Sequence, residues 1–189
     1  MTRAVASRAA GGLSVKLAVL MAAATASAGV AAADALVSEL EQRLQRGGIE
    51  AVNSHLNSHW ASEMLPLNQK TASCELHAVS LAVRLGRSAN ARAVQAHAEA
   101  LRAASGGCAR FVLAMLSPAE VPRYCASVSA WGVTQTAREL RRRIADIDSD
   151  ELLRSSRRGQ ACRAAYVYEL ENTRVVVRRA ASGVKPAGK

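Results

Sequence analysis

Aromatic residues are scarce: one Phe, three Tyr and two Trp in 189 residues. So few rings (Phe111, Tyr124, Tyr166, Tyr168, Trp60 and Trp131) make no stacking platform for bases or sugars, which takes several exposed aromatic faces on one surface. Trp60 and Trp131 read instead as core or partner anchors. Enzyme signatures are missing too. There is no GxSxG, HExxH, Walker loop or GxGxxG, and the one SxxK, from Ser182 to Lys185, stands in a Gly- and Pro-containing tail with no scaffold to position a nucleophile. CxxC and CxxCH are also absent, which removes the signatures of thioredoxin-like redox chemistry and of covalent haem attachment. No internal repeat is visible, and no apolar run reaches the roughly 20 residues of a membrane span.

What is present begins with an export signal. Arg3, Arg8 and Lys16 precede an Ala-, Leu-, Val- and Met-rich run from Leu17 to Ala33, with no acidic residue before Asp34. The small residues Ala31, Ala32 and Ala33 suit signal peptidase, so cleavage is expected after Ala33, with Ala28 as the second choice. A retained anchor is the competing reading, and the shortness of the run argues against it. The expected organisation is a cleaved signal at 1–33, a single helical domain at 34–179 and a basic tail at 180–189.

The chain carries 25 basic and 15 acidic side chains. Without the three signal cations the balance is 22 to 15, and the excess is concentrated in residues 138–189, which hold 13 basic against 7 acidic groups. Export turns this charge away from nucleic acid and toward another envelope protein, an anionic lipid or a wall polymer. Part of it is compositional: Arg outnumbers Lys 21 to 4 in an Ala-rich chain, as a GC-rich genome produces.

Apolar spacing predicts an all-α fold, a small bundle of about six or seven helices. Asp34 is placed to cap a first helix (Leu36, Val37, Leu40, Leu44) that stops at Gly47 and Gly48. A second (Ile49, Val52, Leu56, Trp60) ends before Pro66. A third, from about Leu67 to Leu85, carries Cys74, Ala78, Leu81 and Leu85 as one stripe, and Gly86 ends it. Ser88 or Asn90 caps a fourth, lined by Ala91, Val94, Ala98 and Leu101 and broken at Gly106 and Gly107. An apolar segment from Cys108 to Leu116 makes a fifth. Ser117, Pro118 and Glu120 spell a capping box for a sixth helix, which bends near Gly132 and reaches Ile147. Ser149, Asp150 and Glu151 restart a last one with Leu152, Gly159, Cys162, Tyr166 and Leu170 on a common face. Gly159 weakens its middle, and Val175, Val176 and Val177 fit either its frayed end or a short strand.

The four cysteines of an exported domain are expected to form two disulfides, for which three connectivities exist. If Ser117 and Pro118 turn a helical hairpin, Cys108 and Cys125 face each other across it and Cys74 is left for Cys162. The longer link would then stabilise more than the shorter, by about 4 to 5 against about 3 kcal/mol in the loop-entropy model.

Two constellations carry chemistry. His55, His59 and Glu63 recur at every fourth position, with Cys74 and His77 three apart further on; such spacings let side chains on one helix face chelate a divalent ion. The same residues also fit a polar border of the core, so His55, His59 and His77 are metal candidates only, with no cofactor required, and His97 reads as a satisfied helix residue. Arg138, Arg141, Arg142, Arg143, Arg154, Arg157 and Arg158, with Arg163 beyond, would suit carboxylates or phosphates if they share one surface. Asp146, Asp148, Asp150 and Glu151 lie among them, and Arg142 with Asp146 is an i, i+4 pair.

The functional expectation is a non-enzymatic periplasmic or secreted interaction module of inhibitor, immunity or adaptor type. Its partner would be another envelope protein. A binder of anionic polymer or lipid through the Arg-rich third is the first alternative, and a metal-binding protein the second.

Overall fold

The computed structural model describes the backbone of residues 14–126, 128 and 132–181, and within that set the side chains of residues 35–174. Among the described residues there is no strand. The elements are α1 (Ser14–Ser58), a five-residue π-helical turn (Trp60–Met64), α2 (Leu65–Ala72), α3 (Leu76–Leu85), α4 (Ala91–Ala104), α5 (Ala109–Met115), α6 (Val121–Cys125), α7 (Val133–Ser149), α8 (Glu151–Ser155) and α9 (Arg157–Ala181). The all-α expectation is met, with nine α-helices among the described residues in place of six or seven. Two expected helices run together, and three are each split in two.

The joined pair is α1, whose backbone is helical through Ala33 and Asp34, so no helix begins at Asp34. The side chains of the signal and cleavage region lie outside the described residues. Gly48, at φ 76°, is the one non-helical residue of α1 and sets the kink where a stop was expected. The second expected helix ends before Pro66, at Ser58, and Pro66 itself sits in the first turn of α2, where its missing N–H costs nothing.

Each split has a local cause. Between α2 and α3, Cys74 takes a left-handed conformation, φ 67°, at a position glycine usually fills. There the Glu75 N–H reaches back to the Lys70 carbonyl at 3.0 Å. Cys74 therefore lies in a turn and not on the expected helical stripe. Between α6 and α7, Gly132 at φ 105° starts a new helix instead of bending an old one. Glu120 accepts from the Ser117 N–H at 2.7 Å, half of the expected capping box, but α6 begins only at Val121 with Pro122 in its first turn. Between α8 and α9, Ser156 is extended at ψ 145°. Gly159 stands in the first turn of α9, where the Leu153 carbonyl occupies the space a Cβ would need. Asn90 and Asp150 cap α4 and α8 by accepting from the Ala93 and Leu153 N–H groups at 3.2 Å each. Val175, Val176 and Val177 are helical, within α9.

The hairpin of α3 and α4 is the middle layer. One face, with Ala78, Leu81, Leu85, Ala93 and Ala96, closes a core against Val37, Leu40, Val52 and Leu56 of α1 and Leu67 of α2. The other, with Val79, Ala82, Val83, Ala98, Leu101 and Ala104, closes a second core against α5 to α9. Six of the ten residues of α3 are buried, as a helix packed on both sides requires. Small Ala residues on both helices permit their close approach. In the second core α7 and α9 run antiparallel, as the Asp148–Arg163 and Arg143–Tyr166 pairs show.

The disulfides correct the expected connectivity: they join Cys74 to Cys108 and Cys125 to Cys162, with Cα–Cα distances of 6.0 and 5.2 Å. The hairpin assumed between α5 and α6 is not formed. Instead α6 packs on α9 and α4, which puts Cys125 beside Cys162, and α5 packs on α3, α4 and α9. The turn after α2 and the Gly106–Gly107 turn after α4 bring Cys74 to Cys108, both sulfurs resting near the Ala104 carbonyl. Free cysteines are absent among the described residues.

Candidate functional site

The expected arginine cluster divides into three kinds of residue. Arg143 is buried: it donates to Glu139 at 2.8 Å, to the Arg102 carbonyl at 2.6 Å and to the Tyr166 hydroxyl at 3.2 Å, joining α7 to α4 and α9. Arg142 is taken up by Glu139, Asp146 and the Gly106 carbonyl. The Arg142 guanidinium, helped by Arg143, holds the Glu139 carboxyl down to about 2. Arg163 pairs with Asp148 at 2.6 Å. None of these is free for a partner. Arg138, Arg141, Arg154, Arg157 and Arg158 make no ion pair among the described residues, and all but Arg158, which is half-buried, are exposed.

Arg157 and Arg158 belong to a surface hollow of ≈ 420 Å³ between α5, α8 and α9. Its wall is apolar: Leu113 and Ala114 from α5, Pro118 from the following turn, and Leu152 and Leu153 from α8. Leu153 points into the core while Leu152 is 66% exposed at the lip. The break at Ser156 causes this, shifting the helical phase by one residue from the expected face, on which Leu152 was the inward one. Arg110 completes the basic rim and is paired with Asp150. Arg158 Nε is buried and has no hydrogen-bond partner. A second hollow nearby, ≈ 390 Å³, contains Arg142 with Asp146 and Arg110 with Asp150, so its charges are internally matched.

The histidines also separate. His55, on the last turn of α1, lies 2.9 and 3.1 Å from the two carboxylate oxygens of Glu63. His59 follows the end of α1; its Nδ1 donates to the His55 carbonyl at 2.9 Å, and its ring stacks on that of His55 with centroids 4.1 Å apart. One ligand atom from each of His55, His59 and Glu63 falls within 4.8 Å of the others. His77 is exposed on α3 outside this group, and Cys74 is consumed by its disulfide. Trp60 is half-buried beneath the Arg92 guanidinium, 4.3 Å from its ring centre. Trp131 lies outside the described residues.

His97 is fully buried in α4 and satisfied by side chains that sequence pattern did not single out. Asn53 donates to the Leu85 carbonyl at 2.9 Å, which turns its amide oxygen toward His97 Nε2 at 3.0 Å; Asn68 meets Nδ1 at 3.2 Å. Both ring nitrogens face amide oxygens, which by itself favours the charged ring. Burial opposes it and dominates, because the Asn68 amide can rotate to present its NH2 group while the ring cannot recover its hydration. Burial thus lowers His97 to about 4.

With this geometry in hand, comparison with protein families, curated proteins and solved structures finds no match to the chain. No helix among the described residues is long and apolar enough to cross a membrane. Two disulfides fit an oxidising, extracytoplasmic compartment.

Proposed function

We propose that this protein is a non-enzymatic, periplasmic or secreted interaction module that binds an acidic, apolar-tipped segment of another envelope protein and so modulates or protects against it. The hollow between α5, α8 and α9 carries this reading. It combines an exposed leucine and an apolar wall with Arg157 and Arg158, which have no acidic partner of their own. Protein interfaces draw on this combination, an apolar centre with arginine beside it. An apolar side chain entering beside Leu113 and Leu153 would bring its neighbouring carboxylates against Arg157 and Arg158, where guanidinium pairing is bidentate and strong. Arg157 and Arg158 line the hollow together with its apolar wall, which suits a segment that carries carboxylates beside an apolar side chain. All four cysteines are in disulfides and His97 is sealed in the core, which leaves neither a free thiol nor a buried imidazole open to substrate among the described residues.

The test is a photo-crosslinking side chain at Leu152 in the full, exported chain, with the same probe at the exposed Leu76 of α3 as control. A protein adduct at Leu152 alone, weakened by salt and lost in R157E/R158E, supports the reading. An adduct indifferent to the charge reversal, or none, overturns it. So does co-sedimentation with vesicles of anionic phospholipid that the same double variant abolishes, which would assign the hollow to lipid.

A further inference from the structure

We propose that His55, His59 and Glu63 form a binding site for a divalent transition-metal ion of the zinc class, through three protein ligands, with the remaining coordination positions open to water or to a partner's side chain. The site lies at the end of α1, on the opposite core from the Arg-rimmed hollow, and stands independently of it.

The argument begins with the backbone. In an unbroken α-helix, residues 55 and 63 would be separated by about 12 Å along the axis, because each residue adds about 1.5 Å. Here α1 ends at Ser58, His59 adopts a non-helical conformation (φ −114°, ψ 45°), and the chain continues as the π-helical turn. The Met64 N–H accordingly reaches back five residues to the His59 carbonyl at 3.3 Å. This turn swings Glu63 back onto His55, so that an imidazole nitrogen and a carboxylate oxygen stand 2.9 Å apart. Two ligands bound to one ion by bonds of about 2.0–2.1 Å are held apart by roughly this distance, about 3 Å. Isolated π turns of this kind concentrate at functional positions.

The histidine tautomers are suited to ligation. His59 commits Nδ1–H to the His55 carbonyl, which fixes its ring and leaves the Nε2 lone pair for a metal. His55 presents Nε2 to the carboxylate, and an ion inserted between them would replace their shared proton. One ligand atom from each of the three residues lies within 4.8 Å of the others, so small side-chain adjustments can close them onto one ion. Imidazole with a carboxylate suits Zn²⁺, Ni²⁺ or Cu²⁺ better than the all-oxygen shells of Ca²⁺ or Mg²⁺. His59 is exposed, and the hollow of ≈ 430 Å³ beside His55 gives an ion and its water a way in. One of the arginines there, Arg43, is already paired with Glu39 at 2.7 Å and so opposes the cation less.

The alternative is a local lock, in which the His55–Glu63 pair and the stacked ring only hold the chain at this turn. Calorimetric titration of Zn²⁺ into the tag-free, disulfide-intact full chain separates the two. One saturable equivalent is expected, weakened at least about tenfold in H59A and in E63Q and unchanged in H77A, which alters an exposed histidine outside the group. Loading with Co²⁺ should give visible d–d absorption without a thiolate charge-transfer band, since the cysteines are in disulfides. His59 is exposed and Glu63 half-buried, and melting each variant without metal checks that the fold is kept. Absence of saturable binding, binding undiminished in H59A and E63Q, or loss in H77A would each overturn the site.

Discussion

Replacing His97 by Gln should flatten the acid limb of the protein's stability. Burial lowers the ring to about 4 in the folded protein, against 6.5 for an exposed histidine. As pH falls below about 6.5 the unfolded chain takes up a proton that the folded chain refuses, so the neutral ring's stability, complete above that value, is withdrawn progressively down to about 4. For a shift of this size the loss at pH 5 relative to pH 7.5 is about 2 kcal/mol, rising to about 3 once both states are protonated. Among the described residues no acidic side chain bonds to the ring to offset this; its hydrogen-bonding neighbours are the amides of Asn53 and Asn68. The carboxylates with the largest shifts, Glu120 and Glu139, are held at about 2 by their arginine partners and therefore act lower, as pH falls from about 4.5. Urea unfolding of the oxidised protein at half-unit intervals between pH 7.5 and 4.5 measures the slope. His97→Gln keeps a donor near Asn53 but cannot titrate, so its stability change over this interval should be smaller by about 2.5 kcal/mol in total. Equal slopes in the two proteins would refute the burial argument and imply that the ring is charged between its amides.

The two disulfides close loops of 34 and 37 residues, so the loop-entropy model gives each about 4 kcal/mol; paired Ser replacements of either should lower stability by similar amounts, and peptide mapping of the oxidised protein should return Cys74–Cys108 and Cys125–Cys162. Arg143→Met removes a buried cation that satisfies Glu139, the Arg102 carbonyl and Tyr166, and should cost about 3 kcal/mol in chemical denaturation, whereas the exposed Arg141→Met should stay within about 0.5. Gly159→Ala forces a methyl group into the Leu153 carbonyl and should cost at least about 2 kcal/mol, read as a lowered denaturation midpoint; an unchanged midpoint would mean that α8 and α9 are not held together as described.

Much of the secondary structure was legible because its causes are local. Asn90, Asp150 and Gly86 act within one turn of where they stand, and the apolar spacing of Ala78, Leu81, Leu85, Val94 and Leu101 follows from helical period alone. The splits were hidden for a different reason. A non-Gly residue at positive φ, such as Cys74, carries no mark in the sequence, and Gly159 reads as a weak helix residue until the Leu153 carbonyl is seen against it. One extended residue, Ser156, then exchanges the roles of Leu152 and Leu153, and the apolar hollow depends on that exchange.

Sequence by itself determined an all-helical fold with four cysteines available for pairing, a basic C-terminal third and a His55, His59, Glu63 set, since period, capping and residue type are properties of short stretches. Only the tertiary structure decided which cysteines pair, which arginines are spent on Glu139 or Asp148 and which make no ion pair among the described residues, and that His55 and Glu63 meet at all. Each of these is a relation between groups brought together by turns at Cys74, Ser156 and His59, and the direction in which a chain leaves a turn is set by packing on both faces of α3 and α4, not by the few residues that form the turn.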